Sequence, residues 1–447
     1  MPQAAFNDVI KRSFDDLSKR LNGSASGPLH KMREAALKSF IEQGVPTTRH
    51  EEWKYANVLP FIGLEYSRVS EIAKSVTEKD IDEALGELVS VLESGWRVTI
   101  VNGQFRGDLS YLPAAVTGVS VDVLSDKLIA NDEVVRAAYG SVAKSDAHPF
   151  VAMNTALACD GVVIRVAKGS EMKRPLHIAI ISDARQVNVL TTPRILIVAE
   201  EGSEIDIVET HSTIGDQQAL DVSVSEIAVG SNAHVRFHKV ADDQDDSRHI
   251  GYTAATVARD GRFTAHCINI AGNFIRNDLV INLADVGSQA YLYGASVLGG
   301  VQFADSHTVV DHAVNNCHSE ELYKGIYDGS SIGVFNGKIF VRPQAQKTTA
   351  YQSNHSVLLS DKAQVNAKPQ LEIWADDVKC SHGATLGQLN DEAIFYLRSR
   401  GIDADKARAL MTYAFVAEVL EHIDHEGLRE FCEKRVASKL GTEPLSL

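Results

Sequence analysis

The sequence has few cysteines and lacks the features that mark secreted and membrane-spanning proteins. Its 447 residues include five cysteines, which are scattered and form no C-x-x-C pair. Neither a disulfide framework nor a tetrahedral zinc site is therefore predicted. No apolar run approaches the roughly 18 residues of a membrane helix. Asp8, Asp15 and Asp16 near the start do not fit a secretory signal or a transit peptide. We expect a cytosolic protein without a membrane partner.

A basic surface is also missing. The formal net charge is −15, and no segment concentrates lysine and arginine into a stripe. A nucleic-acid-binding protein usually carries such a stripe to neutralise phosphates, so we expect no nucleic-acid partner. The hydrophobic fraction of 44% and the charged fraction of 23% are typical of a folded globular chain.

The common motifs of nucleotide-dependent and hydrolytic enzymes do not occur. The sequence contains neither a G-x-x-x-x-G-K-[ST] loop nor a strand-linked G-x-G-x-x-G, and it has no G-x-S-x-G or H-E-x-x-H motif. We expect no ATP or NAD chemistry in this chain alone and predict that the protein is not an enzyme by itself.

The N-terminal part shows helical periodicity. Apolar residues recur at helical spacing from Phe6 to Leu17, which predicts a helix that is broken by the GSASGP segment at 23–28. A second helix is predicted over 29–43. In the aromatic segment at 51–61, we expect Trp53 to pack in the domain rather than to bind a ligand. Together these features predict a helical or mixed N-terminal domain over residues 1–150.

The central part shows the alternation of β-strands. Short β-branched runs with a period of two residues occupy 161–167, 194–200, 204–210, 221–229, 234–240, 262–270 and 278–284. Gly202, Gly230, Gly261 and Gly287 introduce several of them, at successive intervals of 28, 31 and 26 residues. A repeat of strands without intervening helices favours a β-solenoid. We predict a mainly β fold with a parallel β-helix core over 151–382, and an antiparallel β-sandwich is the alternative.

Helical periodicity returns after Gly387. A helix is predicted over 391–401, a second over 403–423 with Asp403 as its N-cap, and a third over 426–439. These helices predict a C-terminal helical domain over 383–447. Such a domain can cap the open end of a solenoid, because the last coil would otherwise expose strand edges.

Histidine, aspartate and cysteine cluster in one segment of the predicted solenoid. The candidate metal ligands are His307, Asp311, His312, Cys317 and His318. In a strand His312 would point away from His307 and Asp311. The favoured interpretation is therefore a set of surface or turn residues with local hydrogen bonds.

Cys380 and His382 form a second candidate. They stand two residues apart on the last predicted strand, so their side chains project from the same face. Thiolate is the usual ligand of iron–sulfur clusters, and imidazole replaces it at some iron atoms. Two side chains cannot complete a site with four ligands. A buried thiol beside a hydrogen-bonded histidine is the alternative.

Several stretches resemble one family. PQLEIWADDVKCSHGATLGQLNDEAIFYLRSRGI at 369–402 resembles the C-terminal signature of the SufD branch of the SufB/SufD family, whose members are scaffolds for iron–sulfur cluster assembly. The stretches at 337–361, 321–329 and 51–61 look like further parts of the same family. The resemblance implies a right-handed parallel β-helix core flanked by N-terminal and C-terminal helical domains, in agreement with the periodicity.

The resemblance also implies partners. A SufD-type chain is a scaffold subunit that works with a paralogue, SufB, and with an ABC-type ATPase, SufC, which supplies the ATPase activity. The nascent cluster is built at the interface of SufB and SufD. The cluster is then transient, and this chain alone binds no cofactor stably. A homodimer is expected when SufB is absent.

Two departures from the SufB pattern favour the SufD branch. The position of the sulfur-accepting cysteine of SufB falls near Asn354, where this chain has no thiol. The histidine His382 is flanked by Ser381 and Gly383, whereas SufB-like sequences flank it with glutamates. The resemblance therefore implies that this subunit contributes His382, with Cys380 as a second candidate, to a site that the partner completes.

The helical segment after the last strand is implied to bind SufC. The candidate docking residues are Phe395, Tyr396, Arg398, Arg400 and Gly401. Two other functions fit the predicted fold. One is a β-helix enzyme acting on polysaccharides, which would commonly carry an export signal, and the other is a purely structural homo-oligomeric scaffold.

Overall fold

The computed structural model describes residues 2–20, 28–64, 66–67, 75–92, 95–112, 118–130, 132–158, 160–244 and 246–443. The helices are α1 (Pro2–Arg20), α2 (Pro28–Gln43), α3 (Leu59–Ile62), α4 (Glu78–Leu85), α5 (Glu87–Leu92), α6 (Leu124–Ile129), α7 (Glu133–Ala138), α8 (Pro149–Leu157), α9 (Asp391–Ser399), α10 (Ala404–Leu420) and α11 (Glu426–Lys439).

Most of the strands lie between α8 and α9. They are β1 (Trp96–Val101), β2 (Gln104–Phe105), β3 (Val119–Val123), β4 (Val162–Val166), β5 (Leu176–Asp183), β6 (Val189–Thr191), β7 (Arg194–Ala199), β8 (Glu204–Ile214), β9 (Ala219–Val229), β10 (His234–Asp242), β11 (Arg248–Val257), β12 (Arg262–Ala271), β13 (Phe274–Leu283), β14 (Gln289–Leu298), β15 (Phe303–His312), β16 (His318–Tyr327), β17 (Ile332–Val341), β18 (Thr349–Leu358), β19 (Gln364–Ile373) and β20 (Lys379–Gly387).

The strands form two long sheets that together make a β-solenoid. In one sheet the order ends β8-β10-β12-β14-β16-β18-β20, and in the other it runs β19-β17-β15-β13-β11-β9-β7-β4-β3. From β8 onward the chain visits the two sheets alternately, and neighbouring strands are parallel. Glu204, His234 and Arg262 align across three coils, at intervals of 30 and 28 residues. The predicted parallel β-helix core with flanking helices is confirmed, and the β-sandwich alternative is wrong.

Glycines shape the turns between coils in two ways. Gly202 and Gly287 adopt φ values of 67° and 77°, which side chains with a Cβ rarely tolerate. Gly230 instead lies close to the previous coil, since a Cβ there would be 2.8 Å from the carbonyl oxygen of Ala199. These constraints explain why glycine recurs near each strand start in the sequence.

The sheets extend beyond the predicted core limits of 151 and 382. β1 pairs in parallel with β5, and β3 pairs with β4, so the segment 1–150 contributes edge strands to the solenoid. At the other end β20 continues to Gly387. The division into 1–150, 151–382 and 383–447 thus cuts through hydrogen-bonded sheets, because period-two runs before residue 150 are short and lie between helices.

The C-terminal helices do not cap the solenoid, and that expectation is wrong. α10 contacts β14 and β16, and α11 contacts α5 and β12, so both helices lie along the outer face of one sheet. Buried Val416 and Leu420 of α10 share a core cluster with Val240 and Ile268 of that sheet. The outer face of the sheet presents apolar side chains here, and the helices remove them from water.

The predicted helices of both flanking regions are confirmed. α1 and α2 lie on either side of the predicted break, of which residues 23–27 lie outside the described residues. Trp53 is 3% exposed and packs with Phe150 in a cluster that covers the outer face of the second sheet. Asp403 caps α10 by accepting hydrogen bonds from the amides of Asp405 and Lys406. In the described part of the chain, no helix is long and apolar enough to cross a membrane.

Candidate functional site

The solenoid is open at the end formed by β19 and β20. These strands are the last members of their sheets in the described part of the chain. Most residues of β20 are exposed, whereas β18 beneath it is largely buried. A strand edge without a neighbour presents free N–H and C=O groups. The open end is therefore the part of the solenoid that a further coil or another chain can cover.

Cys380 and His382 lie on this open end. The register of β20 on β18 places Cys380 over Ala350 and His382 over Gln352. Ala350 and Gln352 are buried inside the solenoid, so the two candidate side chains continue its inward-facing rows. The same-face prediction is thus met. His382 is exposed and Cys380 is half-buried because no coil follows them.

The chemistry of the two side chains differs. Burial raises the pKa of the Cys380 thiol, while a backbone hydrogen bond from Ala350 acts in the opposite direction. A thiol binds metal as the thiolate, so Cys380 requires a nearby cation or metal to lose its proton. His382 faces solvent, and its imidazole is accessible to a ligand from outside the chain.

A row of polar side chains lies beneath His382. Gln352 donates a hydrogen bond to Glu321 over 3.2 Å, and Thr308 donates another over 2.6 Å. Burial raises the pKa of Glu321 to about 7, despite these two donors. The carboxyl of Glu321 therefore lies buried one coil below Gln352 with a raised pKa. Sequence reasoning missed this residue, since only the coil register shows that it lies under the candidate site.

The histidine-rich segment from His307 to His318 does not bring its candidate ligands together in the described structure. Each of four candidates has its own local contact, and the pairs are His307 with Glu52, Asp311 with Arg342, His312 with Ser319 and Cys317 with Ser288. His312 points into the solenoid and is fully buried, whereas Asp311 on the opposite face is partly exposed. His318 lies on the next strand, β16. The expectation of surface or turn residues is wrong for His307, His312 and Cys317, which are buried by the coils of the solenoid and, for His307, by the segment that contains Glu52.

The helix α9 presents the predicted docking residues to solvent. Phe395 is 71% exposed and Tyr396 is 57% exposed. Arg400 donates a hydrogen bond to the Tyr396 hydroxyl over 3.0 Å and lies 5.1 Å from its ring centre. Gly401 ends this helical segment with a φ of 89°. Two exposed aromatic rings next to arginines have the composition of a protein-binding surface.

Three other cysteines in the described part of the chain are buried. Cys267, Cys317 and Cys432 are buried in the solenoid or under α11, and Cys159 lies outside the described residues. Burial raises the pKa of the Cys267 thiol to about 11. Among the described cysteines, Cys380 is therefore the most accessible thiol.

Comparison with known proteins connects this geometry to a family. Residues 180–415 match the family described as "SUF system FeS cluster assembly, SufBD core domain", and residues 7–178 match "SufBD protein N-terminal region". The sequence is 31% identical to the iron–sulfur cluster assembly protein SufD of Escherichia coli (strain K12), covering 90% of this chain and 91% of that protein.

Other relatives have similar names. An iron–sulfur cluster assembly SufBD family protein of Synechocystis is 30% identical, covering 90% of this chain and 89% of that protein. The SufD protein of Bacillus subtilis is 27% identical, covering 64% of this chain and 66% of that protein.

Proposed function

The chain belongs to the SufBD family of iron–sulfur cluster assembly proteins, and from this premise we propose that it is a SufD-type scaffold subunit of a cytoplasmic SufBCD complex. In this proposal His382, with Cys380 as a second ligand, forms one half of a transient cluster site. A SufB-type paralogue supplies the other half, and ATP is hydrolysed by a SufC-type ATPase.

The observation that carries the proposal is the exposure of inward-facing side chains at the open end. A solenoid normally buries its inner rows under the next coil. Here His382 is exposed, as is Leu386, whose side chain is 57% exposed in the same row. An apolar side chain and two metal-binding groups at an unpaired strand edge together favour a partner chain that continues the sheets.

A paralogue is a suitable partner because it has the same architecture. Two solenoids that meet end to end can pair β20 and β19 with the corresponding strands of the partner and so satisfy the free backbone groups. The ligands from both chains would then face each other across the interface. A second copy of this chain can use the same edge, so we expect a homodimer in the absence of SufB.

Placing the site between subunits gives the cluster a route of release. Ligands that belong to different chains separate when the chains move apart. The proposed docking surface for SufC is α9, which follows β20 after a short connection. Movement of α9 on ATP binding by the partner would therefore act close to His382.

The experiment that tests the proposal is cluster assembly by a complex with His382→Ala. The complete complex is obtained by co-expression with the paralogue and the ATPase encoded beside this protein, and its composition is measured by native mass spectrometry. We expect an intact complex whose rate of anaerobic cluster formation falls about tenfold or more. Loss of one ligand removes a bond to iron without disturbing buried packing.

The matched control is His355→Ala. His355 lies on β18 on the outer face, where it makes a hydrogen bond of 2.7 Å with Thr385 of β20. This variant loses a histidine close to the same edge but none from the inner row, so assembly is expected to continue at the wild-type rate. Equal rates for the wild-type and His382→Ala complexes would refute the site assignment.

A further inference from the structure

A second cluster of metal-binding side chains lies inside the solenoid. His211 at the end of β8, Asp221 on β9 and His249 on β11 offer ligand atoms that all lie within 4.8 Å of one another. Six strand steps separate β8 from β20 in the shared sheet. At roughly 4.8 Å per step, this cluster is about 30 Å from His382 and is a separate site.

The solenoid fold brings the three residues together. Asp221 and His249 are direct partners in the parallel register of β9 and β11. His211 precedes the turn that connects β8 to β9, so it faces Asp221 across a corner of the same coil. All three residues are between 5% and 6% exposed. The cluster is thus built from inward positions of two adjacent coils.

The ligand atoms converge on one carboxylate oxygen. Oδ2 of Asp221 lies 2.8 Å from Nδ1 of His211 and 2.9 Å from Nδ1 of His249. The centres of the two imidazole rings are 4.1 Å apart. Ligands of a tetrahedral ion with bonds of about 2.0 Å are roughly 3.3 Å from one another. The three atoms therefore need small shifts to enclose an ion.

The surrounding groups orient the ligands. Oε1 of Glu209 accepts a hydrogen bond from Nε2 of His211 over 3.0 Å, and Thr191 donates one to Oδ1 of Asp221 over 2.7 Å. Glu209 is fixed in turn by Nζ of Lys239, which lies 2.9 Å from its Oε1, and by Ser225, which donates a hydrogen bond to its Oε2 over 2.8 Å. A carboxylate behind a histidine ligand fixes the ring and makes its other nitrogen a better donor.

The contact between His211 and Asp221 lacks the direction of a hydrogen bond. Within the described residues, Nδ1 of His211 has no hydrogen-bond partner even though Oδ2 of Asp221 is 2.8 Å away. With Nε2 of His211 donating to Glu209, a neutral ring leaves Nδ1 without a proton beside the carboxylate. Two unprotonated acceptor atoms at this distance repel each other, and a proton or a cation near them relieves the repulsion. Nε2 of His249 is also buried without a partner.

We propose that His211, Asp221 and His249 bind a divalent first-row transition metal ion such as Zn²⁺. Two imidazoles and one carboxylate are the ligands that such ions prefer. A small cavity beside the cluster is also lined by Ser182, Thr213 and Asp243. It leaves space for a water molecule as the fourth ligand. This site does not depend on the function proposed for His382.

Metal titration of the full-length chain tests the proposal. The protein is prepared without a histidine tag and treated with a chelator, and Zn²⁺ binding is then measured by calorimetry. Co²⁺ serves as a second probe, because its visible absorption reports four-coordinate nitrogen and oxygen ligands. We expect one ion per chain and a Co²⁺ spectrum of four-coordinate type. No saturable binding would show that a proton alone occupies the cluster and would overturn the proposal.

Three variants locate the ion. Asp221→Asn and His249→Gln are expected to weaken Zn²⁺ binding at least 100-fold. Thr191→Val keeps the shape of the side chain but removes one hydrogen bond to Asp221, and it is expected to weaken Zn²⁺ binding about tenfold. If the first two variants fail to fold, Thr191→Val still tests whether the ion binds at this cluster, because this substitution changes the packing little. Unchanged affinity in Thr191→Val together with unchanged Co²⁺ absorption would contradict the assignment.

Two controls exclude other histidines. His312→Gln alters a buried histidine of the same solenoid that contacts Ser319 over 2.9 Å, and it is expected to bind Zn²⁺ like the wild type. His382→Ala is expected to keep the same single ion, because His382 lies at the open end. Loss of that ion in His382→Ala but not in Asp221→Asn would place it at the open end and overturn the proposal.

Discussion

Glu321 shows how one buried side chain makes stability depend on pH. It is fully enclosed between Thr308 and Gln352, and burial raises its pKa from an ordinary value of 4.5 to about 7. A group with a raised pKa contributes stability below its unfolded pKa, and this contribution is lost as the pH rises through the folded value. The stability of the wild type is therefore expected to decrease between about pH 4.5 and pH 7.

The variant Glu321→Gln should remove this pH dependence. The amide has nearly the same shape and never ionises, so the variant should be more stable than the wild type at pH 8, by on the order of 3 kcal/mol for a shift of this size. Urea unfolding at pH 5 and pH 8 measures the difference. The control is Glu320→Gln, which changes the preceding, outward-facing glutamate of β16. A wild type and a Glu321→Gln variant with parallel pH profiles would contradict the raised pKa.

Single residues were predictable where the signal is local. The N-cap Asp403 and the packing role of Trp53 follow from neighbours in the sequence, and so does the shared face of Cys380 and His382. The cluster of His211, Asp221 and His249 was not predictable in this way. Its members are brought together by the register of successive coils, and glycine intervals as uneven as 28, 31 and 26 residues do not fix that register.

At the level of elements, a short segment ties the N-terminal helices to the solenoid. The segment Glu51–Trp53 forms a 3-10 helix against the outer face of the second sheet. Arg276 of β13 is central to this contact, because it donates to the carbonyl oxygen of Glu52 over 3.0 Å and lies 3.7 Å from the Trp53 ring centre. Its guanidinium also forms ion pairs with Asp278 and Asp305, which are buried on the same face of the sheet.

The variant Arg276→Met is expected to loosen this attachment. Removal of the cation takes the arginine from two buried carboxylates, which keep contacts with His148 and His307, and loss of one member of a buried ion pair typically costs about 3–5 kcal/mol. Limited proteolysis near residue 50 and urea unfolding should both show the loss. Arg342→Met is the matched control, since Arg342 forms a similar two-bond pair with Asp311 while 39% exposed. Such an exposed pair contributes about 1 kcal/mol or less. Equal losses in the two variants would refute the role of Arg276.

Elements were predicted well because their periodicities are strong. The helices at both ends and the strands of the central region follow from apolar spacing. The error concerned where the C-terminal helices pack. An apolar face shows that a helix is covered on one side, but the sequence does not show whether the solenoid end or its outer face covers it.

At the level of the whole molecule, the open end is expected to determine association. Leu386 is an exposed apolar residue of the inner row on β20. Leu386→Glu should prevent end-to-end pairing, because the interface would have to bury an unpaired charge. Native mass spectrometry is expected to show loss of the paralogue and of any homodimer, while an ATPase bound at α9 remains.

A matched control lies on another surface. Val301 is 75% exposed in the turn between β14 and β15. Val301→Glu adds the same charge at an exposed apolar position away from the open end, so association should be unchanged. An intact complex of Leu386→Glu with the paralogue would show that the partner binds elsewhere.

The architecture of a β-solenoid between N-terminal and C-terminal helices was predictable from periodicity and family resemblance. What the sequence did not show was which surfaces remain uncovered. That property depends on how far the helical block reaches along the solenoid, and it became visible only when β19 and β20 were found at the edge of their sheets.

The stacking of coils has a final consequence. Each inner coil bonds to a neighbour on both sides, whereas the coil that contains β19 and β20 stands at one end of the stack and bonds to a neighbour on one side. Fraying from this end should therefore travel inward one coil at a time. A bound subunit would prevent this fraying. Amide hydrogen exchange in 364–387 would therefore be slower in the complex than in the isolated chain.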